Sequence, residues 1–178
     1  MRLFWRKGYT ATSIEDLVET LQLSRSSLYG TFGDKRSLFL EALKFYSEGV
    51  MSAIARTLNE APSPMAGIQA LLDEMIAGVD SPSGALGCFM VNSVAELVPY
   101  DPEVTALATA YSDSLRGLLA KALVRAGRPD QATRQPTPEQ LAAYVFNMIQ
   151  GLRIFIKSGA TREQVQAVRD ITLKSLHL

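Results

Sequence analysis

The sequence predicts an all-α fold, and three observations carry that expectation. Apolar residues recur with the period of a helix: Val104, Leu107, Ala108, Tyr111, Leu115, Leu118, Leu119 and Ala122 share one face. Helix-opening patterns stand ahead of the apolar runs, among them Ser63-Pro64, Asp101-Pro102-Glu103 and Thr137-Pro138-Glu139-Gln140. No stretch alternates polar and apolar residues for long enough to read as a strand.

The elements follow in order. Three short apolar patterns lie between residues 1 and 36. Isolated helices below about 12–15 residues are marginal in water, so these are expected to pack as a small bundle. Thr12-Ser13-Ile14-Glu15 reads as a capping box opening a helix with Ile14, Leu17, Val18 and Leu21 on its apolar face. Gln22-Leu23-Ser24 reads as a tight turn, and Ser24 as the cap of a second short helix, Arg25 to Thr31, ended by Gly33-Asp34. Asp34 then caps a long helix reaching Asn59, with Leu38, Phe39, Ala42, Phe45 (or Tyr46), Val50, Ile54 and Leu58 along it. A domain boundary falls inside this helix near Ser47, dividing the chain into residues 1–46 and 47–178.

Ser63-Pro64 opens a helix carrying Ile68, Leu71, Leu72, Met75, Ile76 and Val79, which Asp80-Ser81-Pro82-Ser83-Gly84 breaks. A shorter helix runs from Leu86 to Val98 and stops at Pro99. The helix capped by Asp101 follows and is closed by Gly127. The last two run from Thr137 to near Gly159 and onward from Thr161, the latter with Val165, Val168, Ile171 (or Thr172) and Leu176 on one face.

Counting removes most chemistry. Eighteen basic residues balance eighteen acidic ones, so no global positive field is present. The single histidine, His177, and the single cysteine, Cys88, supply neither a catalytic triad nor a structural zinc site. No glycine-rich phosphate loop or nucleophile elbow occurs. A binding protein is expected rather than an enzyme, with no cofactor. No apolar run approaches the roughly 18 residues of a membrane span, and Arg2, Arg6 and Lys7 stand where an export signal needs its apolar stretch. A cytoplasmic setting without membrane partners is the expectation.

Two short helices joined by a turn of three to four residues have the layout of a helix-turn-helix. The second would present Arg25, Ser26, Ser27 and Thr31 outward while Leu28 and Phe32 face the core. Short hydroxyl donors and an arginine that can grip guanine suit entry into the major groove. Thr12, Ser13, Ser24, Tyr29 and Lys35 stand at or near helix starts, where backbone N–H groups attract phosphate. Residues 1–36 hold six basic and four acidic groups, so any DNA contact must come from local geometry.

At these residues the chain resembles the TetR family of transcriptional repressors. Phe4-x-x-x-Gly8-Tyr9-x-x-Thr12-Ser13-Ile14 and Leu23-Ser24-Arg25-x-x-Leu28-Tyr29-x-x-Phe32-x-x-Lys35-x-x-Leu38 follow the family's N-terminal pattern. The resemblance implies a homodimer, a DNA-binding domain on each subunit and a variable C-terminal domain holding an inducer pocket. It also implies phosphate contacts at Tyr29 and Lys35 and groove-facing residues from Arg25 to Thr31. The partners would be double-stranded operator DNA, a small-molecule inducer and a second copy of the chain. Two departures stand out. The family's first helix usually extends further ahead of the position of Phe4, and Gly30-Thr31 replaces the aromatic and histidine of many relatives.

Candidate ligand residues are those that place polar groups or aromatics on the apolar faces of the second half. Asn92, Glu96, Asn147, Gln150 and Arg153 interrupt such faces, and Met75, Phe89, Tyr111, Tyr144 and Met148 could form apolar walls beside them. Cys88 reads either as a small buried hydrophobe or as an electrophile sensor, since some TetR-like repressors carry a similar Gly-Cys stretch. The last two helices are expected to pair antiparallel and to dimerise through Gly151, Phe155, Val165, Val168 and Ile171. The function expected is a ligand-released repressor; the rival reading is a small-molecule sensor or carrier that binds no DNA.

Overall fold

The computed structural model describes residues 1–126 and 136–176, so Gly127 and His177 lie outside the described residues. In chain order the helices are α1 (Arg2–Lys7), α2 (Ile14–Leu21), α3 (Arg25–Phe32), α4 (Lys35–Glu60), α5 (Pro64–Gly78), α6 (Pro82–Leu86), α7 (Phe89–Leu97), α8 (Pro102–Arg125), α9 (Pro138–Lys157) and α10 (Arg162–Leu176). Two compact units result. One comprises Met1–Gly49 with Cys88–Thr109, and the other Val50–Gly87 with the described residues from Ala110 on. None of the described helices is long and apolar enough to cross a membrane.

Most helix starts obey their caps. Ser24, Ser63 and Asp101 each accept a backbone N–H from the first turn that follows them. Thr137 with Gln140, and Thr161 with Gln164, form reciprocal capping boxes. Two starts differ from expectation. The box on α2 is formed by Ser13 and Asp16 rather than Thr12 and Glu15: Ser13 Oγ accepts Asp16 N–H at 3.0 Å, and Asp16 Oδ2 accepts Ser13 N–H at 2.9 Å. The segment after α5 is more than a break. Ser81 Oγ accepts Gly84 N–H at 2.9 Å and so starts the short α6, too short to announce itself by periodicity.

The first unit is built on aromatic edges. Phe89, the first residue of α7, meets Phe39 and Tyr46 of α4 at 5.7 Å between ring centroids, nearly perpendicular in both cases. Phe4 and Trp5 of α1 pack edge-on against Phe39 and Tyr46 in turn. Such arrangements contribute about 0.5–1.5 kcal/mol each beyond the area they bury. The sequence left Phe45 and Tyr46 as alternatives; Tyr46 is inward, and Phe45 is 67% exposed.

In the second unit α10 packs on α5 and α9, while α5 and α6 also pack on α9. Ile68, Leu72, Leu115, Leu119, Val145, Ile149, Leu152 and Val165 fill its interior. Ion pairs of 2.6 Å join Arg169 to Asp73 and Arg162 to Asp80. On α10, Thr172 takes the inward position with its hydroxyl donated to Val168 O, and Ile171 points outward at 65% exposure. Val165, expected at a subunit interface, is entirely buried within its own unit and has no surface to offer a partner.

The turn between α5 and α6 leaves no space at Gly84, where a Cβ would collide with the backbone carbonyl oxygen of Gly78. Neither atom can rotate aside. Gly84→Ala is therefore expected to destabilise the protein by about 1–3 kcal/mol in denaturant unfolding. Gly78→Ala, whose Cβ would meet nothing, should leave the midpoint unchanged or slightly raised.

Candidate nucleic-acid interface

The helix-turn-helix is made by α2, α3 and the residues between them. Gln22 adopts a left-handed conformation (φ 53°, ψ 39°), which ends α2, and Leu23 N–H bonds back to Val18 O at 3.3 Å. A non-glycine residue rarely takes this conformation, so the turn is fixed by its surroundings rather than by a glycine signal. Ser24 then opens α3 by accepting Ser27 N–H at 3.1 Å, with its hydroxyl also bonded to those of Ser26 and Ser27.

One side of α3 is anchored and the other is bare. Leu28 is fully buried and Phe32 half-buried, whereas Arg25, Ser26, Ser27, Tyr29, Gly30 and Thr31 are all exposed. The Arg25 guanidinium pairs with Glu15 of α2, both side chains standing mostly in solvent. Exposed pairs of this kind contribute at most about 1 kcal/mol, so the pair can open when a stronger anion arrives. Ser13 is exposed at the start of α2.

Two residues expected to touch phosphate are engaged elsewhere. Thr12 is buried and donates its hydroxyl to Gly8 O at 2.6 Å, which leaves it inside the fold. Lys35 is half-buried; its ammonium donates to Tyr9 O at 3.0 Å and to Thr12 O at 2.8 Å, and lies 4.3 Å from the centre of the Tyr9 ring. It ties the α1–α2 turn to the start of α4.

Acidic residues far along the chain hold the same region. Glu96, expected in a ligand pocket, accepts Thr10 N–H at 2.7 Å and Tyr9 N–H at 3.0 Å. Burial pushes its carboxyl up, but the Thr10 and Tyr9 hydrogen bonds outweigh it and leave it below the usual glutamate range. Arg36 binds Asp101 through two nitrogens, at 2.9 and 2.8 Å, and reaches Glu103 at 2.9 Å. These pairings span more than sixty residues, so no local pattern announces them.

The remaining expected ligand residues are distributed between the two units. Cys88 and Phe89 are buried in the first, where Tyr46 Oη lies 3.4 Å from the Cys88 sulfur, and Asn92 is half-buried there. In the second, Tyr111 is buried, Tyr144 Oη lies 3.2 Å from Ser175 Oγ, and Met75 and Met148 are half-buried. The amide of Gln150 is buried with neither its nitrogen nor its oxygen hydrogen-bonded. A surface cleft of about 670 Å³ between α4 and α8 is lined by other residues, among them Met51, Ala55, Gly117 and Leu118.

The Arg36–Asp101 pair has a definite pH signature. The Arg36 hydrogen bonds hold the Asp101 carboxyl below the usual aspartate range, so the unfolded chain binds its proton more readily than the folded one. The pair's contribution is complete above the ordinary aspartate value of about 4 and is lost as pH falls through the lowered value. Asp101→Asn keeps a capping oxygen for α8 but removes the charge. The gap in melting temperature between the two proteins should be constant near neutral pH and close in acid; a gap unchanged in strong acid would show that the pair does not carry it.

Comparisons with known proteins agree with this geometry. Residues 1–42 match the model of the family described as bacterial regulatory proteins, tetR family. The HTH-type transcriptional regulator YezE of Bacillus subtilis is 31% identical over 177 residues, covering 99% of this chain and 91% of the relative. The HTH-type transcriptional repressor ComR of Escherichia coli is 26% identical over 178 residues, covering 98% and 83%. Among solved structures, a cysteine mutant of the TetR-family regulator CifR in complex with 26-bp operator DNA superposes with a TM-score of 0.83 at 27% identity, covering 97% of this chain and 90% of that one. Reduced NemR of Escherichia coli shares the fold, with a TM-score of 0.85 at 17% identity over 96% and 89% of the two chains. The recognition helix, its caps and these relatives together place the chain in the TetR family of bacterial transcriptional regulators.

Proposed function

We propose that this regulator is a repressor that binds a palindromic double-stranded operator as a homodimer and leaves it when a small molecule binds. The observation that carries the reading is the bare outer face of α3 above a fully buried Leu28. Arg25, Ser26, Ser27 and Thr31 read bases, while Ser13, Ser24 and Tyr29 hold phosphates. Lys35 and Thr12 serve by shaping the turn beside them. The complex of CifR with operator DNA supports the mode of docking. Functionally, residues 1–46 do the reading, and residues 47–178 carry the ligand and dimer surfaces.

The inducer site is assigned to the second unit, with Met75, Tyr111, Tyr144 and Met148 as apolar surroundings. The unsatisfied Gln150 amide supports a polar group on the ligand, because a buried amide without partners is costly. Cys88 acts as packing, since its thiol is buried beneath Tyr46. The dimer surface is the outer face of α9 and α10, where Gly151, Ile154, Phe155 and Ile171 are exposed and Val168 is half-buried. A two-fold axis there would set the two α3 helices one DNA turn, about 34–36 Å, or a multiple of it apart.

The test is an electrophoretic shift with the DNA immediately upstream of the protein's own gene. Arg25→Ala is expected to cost about 1–3 kcal/mol and to relax preference at one base position. Unchanged affinity and unchanged base preference would remove α3 from the groove, and a wild-type protein that shifts no DNA would favour a sensor without operator. Ile171→Asp, at a position outside the core, should yield a folded monomer in sedimentation with much weakened DNA binding. A stable Ile171→Asp dimer would place the interface elsewhere.

A further inference from the structure

The α1–α2 turn, residues 8–13, is held by side chains from two other elements. Its N–H groups at Tyr9 and Thr10 are taken by the Glu96 carboxylate of α7, one to each oxygen. Its carbonyls at Tyr9 and Thr12 are taken by the Lys35 ammonium of α4. Space as well as charge marks the contact: Gly8 has φ +82°, and a Cβ there would stand 2.9 Å from Glu96 Oε2. Within its own span the turn has a backbone bond from Thr12 N–H to Tyr9 O, at 3.3 Å, and the Thr12 hydroxyl donates to Gly8 O at 2.6 Å. Bonds from α4 and α7 thus add to the turn's own in setting the path that leads into α2.

The helix that carries Glu96 is itself fastened to α4 at both ends. Phe89 packs on Phe39 and Tyr46 at its start, and Asp101 grips Arg36 just beyond its finish. By chain connection, α7 is entered from Gly87 at the end of the second unit's α6 and leaves through α8, which continues into the second unit.

We propose that Glu96 is a positioning residue for operator binding: by accepting the Tyr9 and Thr10 N–H groups it helps fix the path from which α2 and α3 emerge. The proposal rests on the reading that α3 enters DNA. Two charge-assisted hydrogen bonds from one carboxylate satisfy the Tyr9 and Thr10 N–H groups. Neither bond involves a residue assigned to touch DNA.

Amide hydrogen exchange on the full-length protein tests the contact directly. In the wild type, Tyr9 and Thr10 amides should be protected; exchange at the rate of an unstructured peptide would overturn the proposal without any variant. Glu96→Gln keeps the volume but turns an N–H donor toward an N–H donor. Exchange at the amide that faces the Gln nitrogen should accelerate roughly tenfold or more, as expected for losing a hydrogen bond to a charged group, with a smaller rise at the amide still accepted by the Gln oxygen. Affinity for the upstream DNA should fall by a similar factor, with the slope of log affinity against log salt unchanged because no phosphate contact is lost. Glu96→Asp, one methylene shorter with both oxygens kept, should lie between. Equal exchange in the wild type and Glu96→Gln, or faster exchange with undiminished DNA affinity, would refute the proposal. Should the wild type shift no DNA, the operator reading falls while amide exchange still decides whether Glu96 holds the turn.

Discussion

Helices of eight residues, the length of α2 and α3, do not persist alone in water, and whatever they present to a partner is set by what holds their ends. Here the constraint comes down to the carboxylate of Glu96 and the ammonium of Lys35 gripping opposite poles of one turn's peptide groups. The arrangement is strong because each bond has a charged member and the site is partly shielded from water. Ser13, Ser24 and Asp34 then close the open ends of α2, α3 and α4, so the short helices begin at defined residues. Apolar packing beneath them, centred on Phe39 and Phe89, gives that polar frame a rigid floor.

A chain with equal numbers of acids and bases can still serve a polyanion if its acids are occupied. Glu96 and Asp101 are both taken up by donors of the protein itself, and Asp16 is bonded to Lys7 and to the Ser13 N–H. Lys7 brings the Asp16 carboxyl down to about 2, so it stays ionised and bound across the physiological range. Glu15 is different: it lies in the open beside Arg25, at the exposed start of α3. Charge is distributed by contact rather than by count.

Local features were legible in the sequence and long-range ones were not. Caps at Ser24, Ser63, Asp101, Thr137 and Thr161, and the outward set on α3, follow from side chains acting within one turn of themselves. The choices between neighbours were not legible, because helical period tolerates either. Tyr46 won over Phe45 by packing on Trp5 and Phe89, and Thr172 took the inward place with its hydroxyl satisfied by Val168 O. Glu96 looked like a polar interruption on an apolar face, and its partners Tyr9 and Thr10 are brought near only by the fold. Thr12 and Lys35 sat correctly at helix starts, yet burial and two carbonyl acceptors turned them inward.

Gly30 carries a consequence of another kind. It lies in the middle of α3 with nothing within 4 Å of where a Cβ would be, on the side away from Leu28. A glycine inside a helix costs about 1 kcal/mol against alanine, so the position is held below its optimum. An alanine would fit there without disturbing a neighbour and would firm the helix. Under the proposed reading, the scaffold thus leaves one position on the outer face of α3 where a side chain can be added while every buried contact stays as it was.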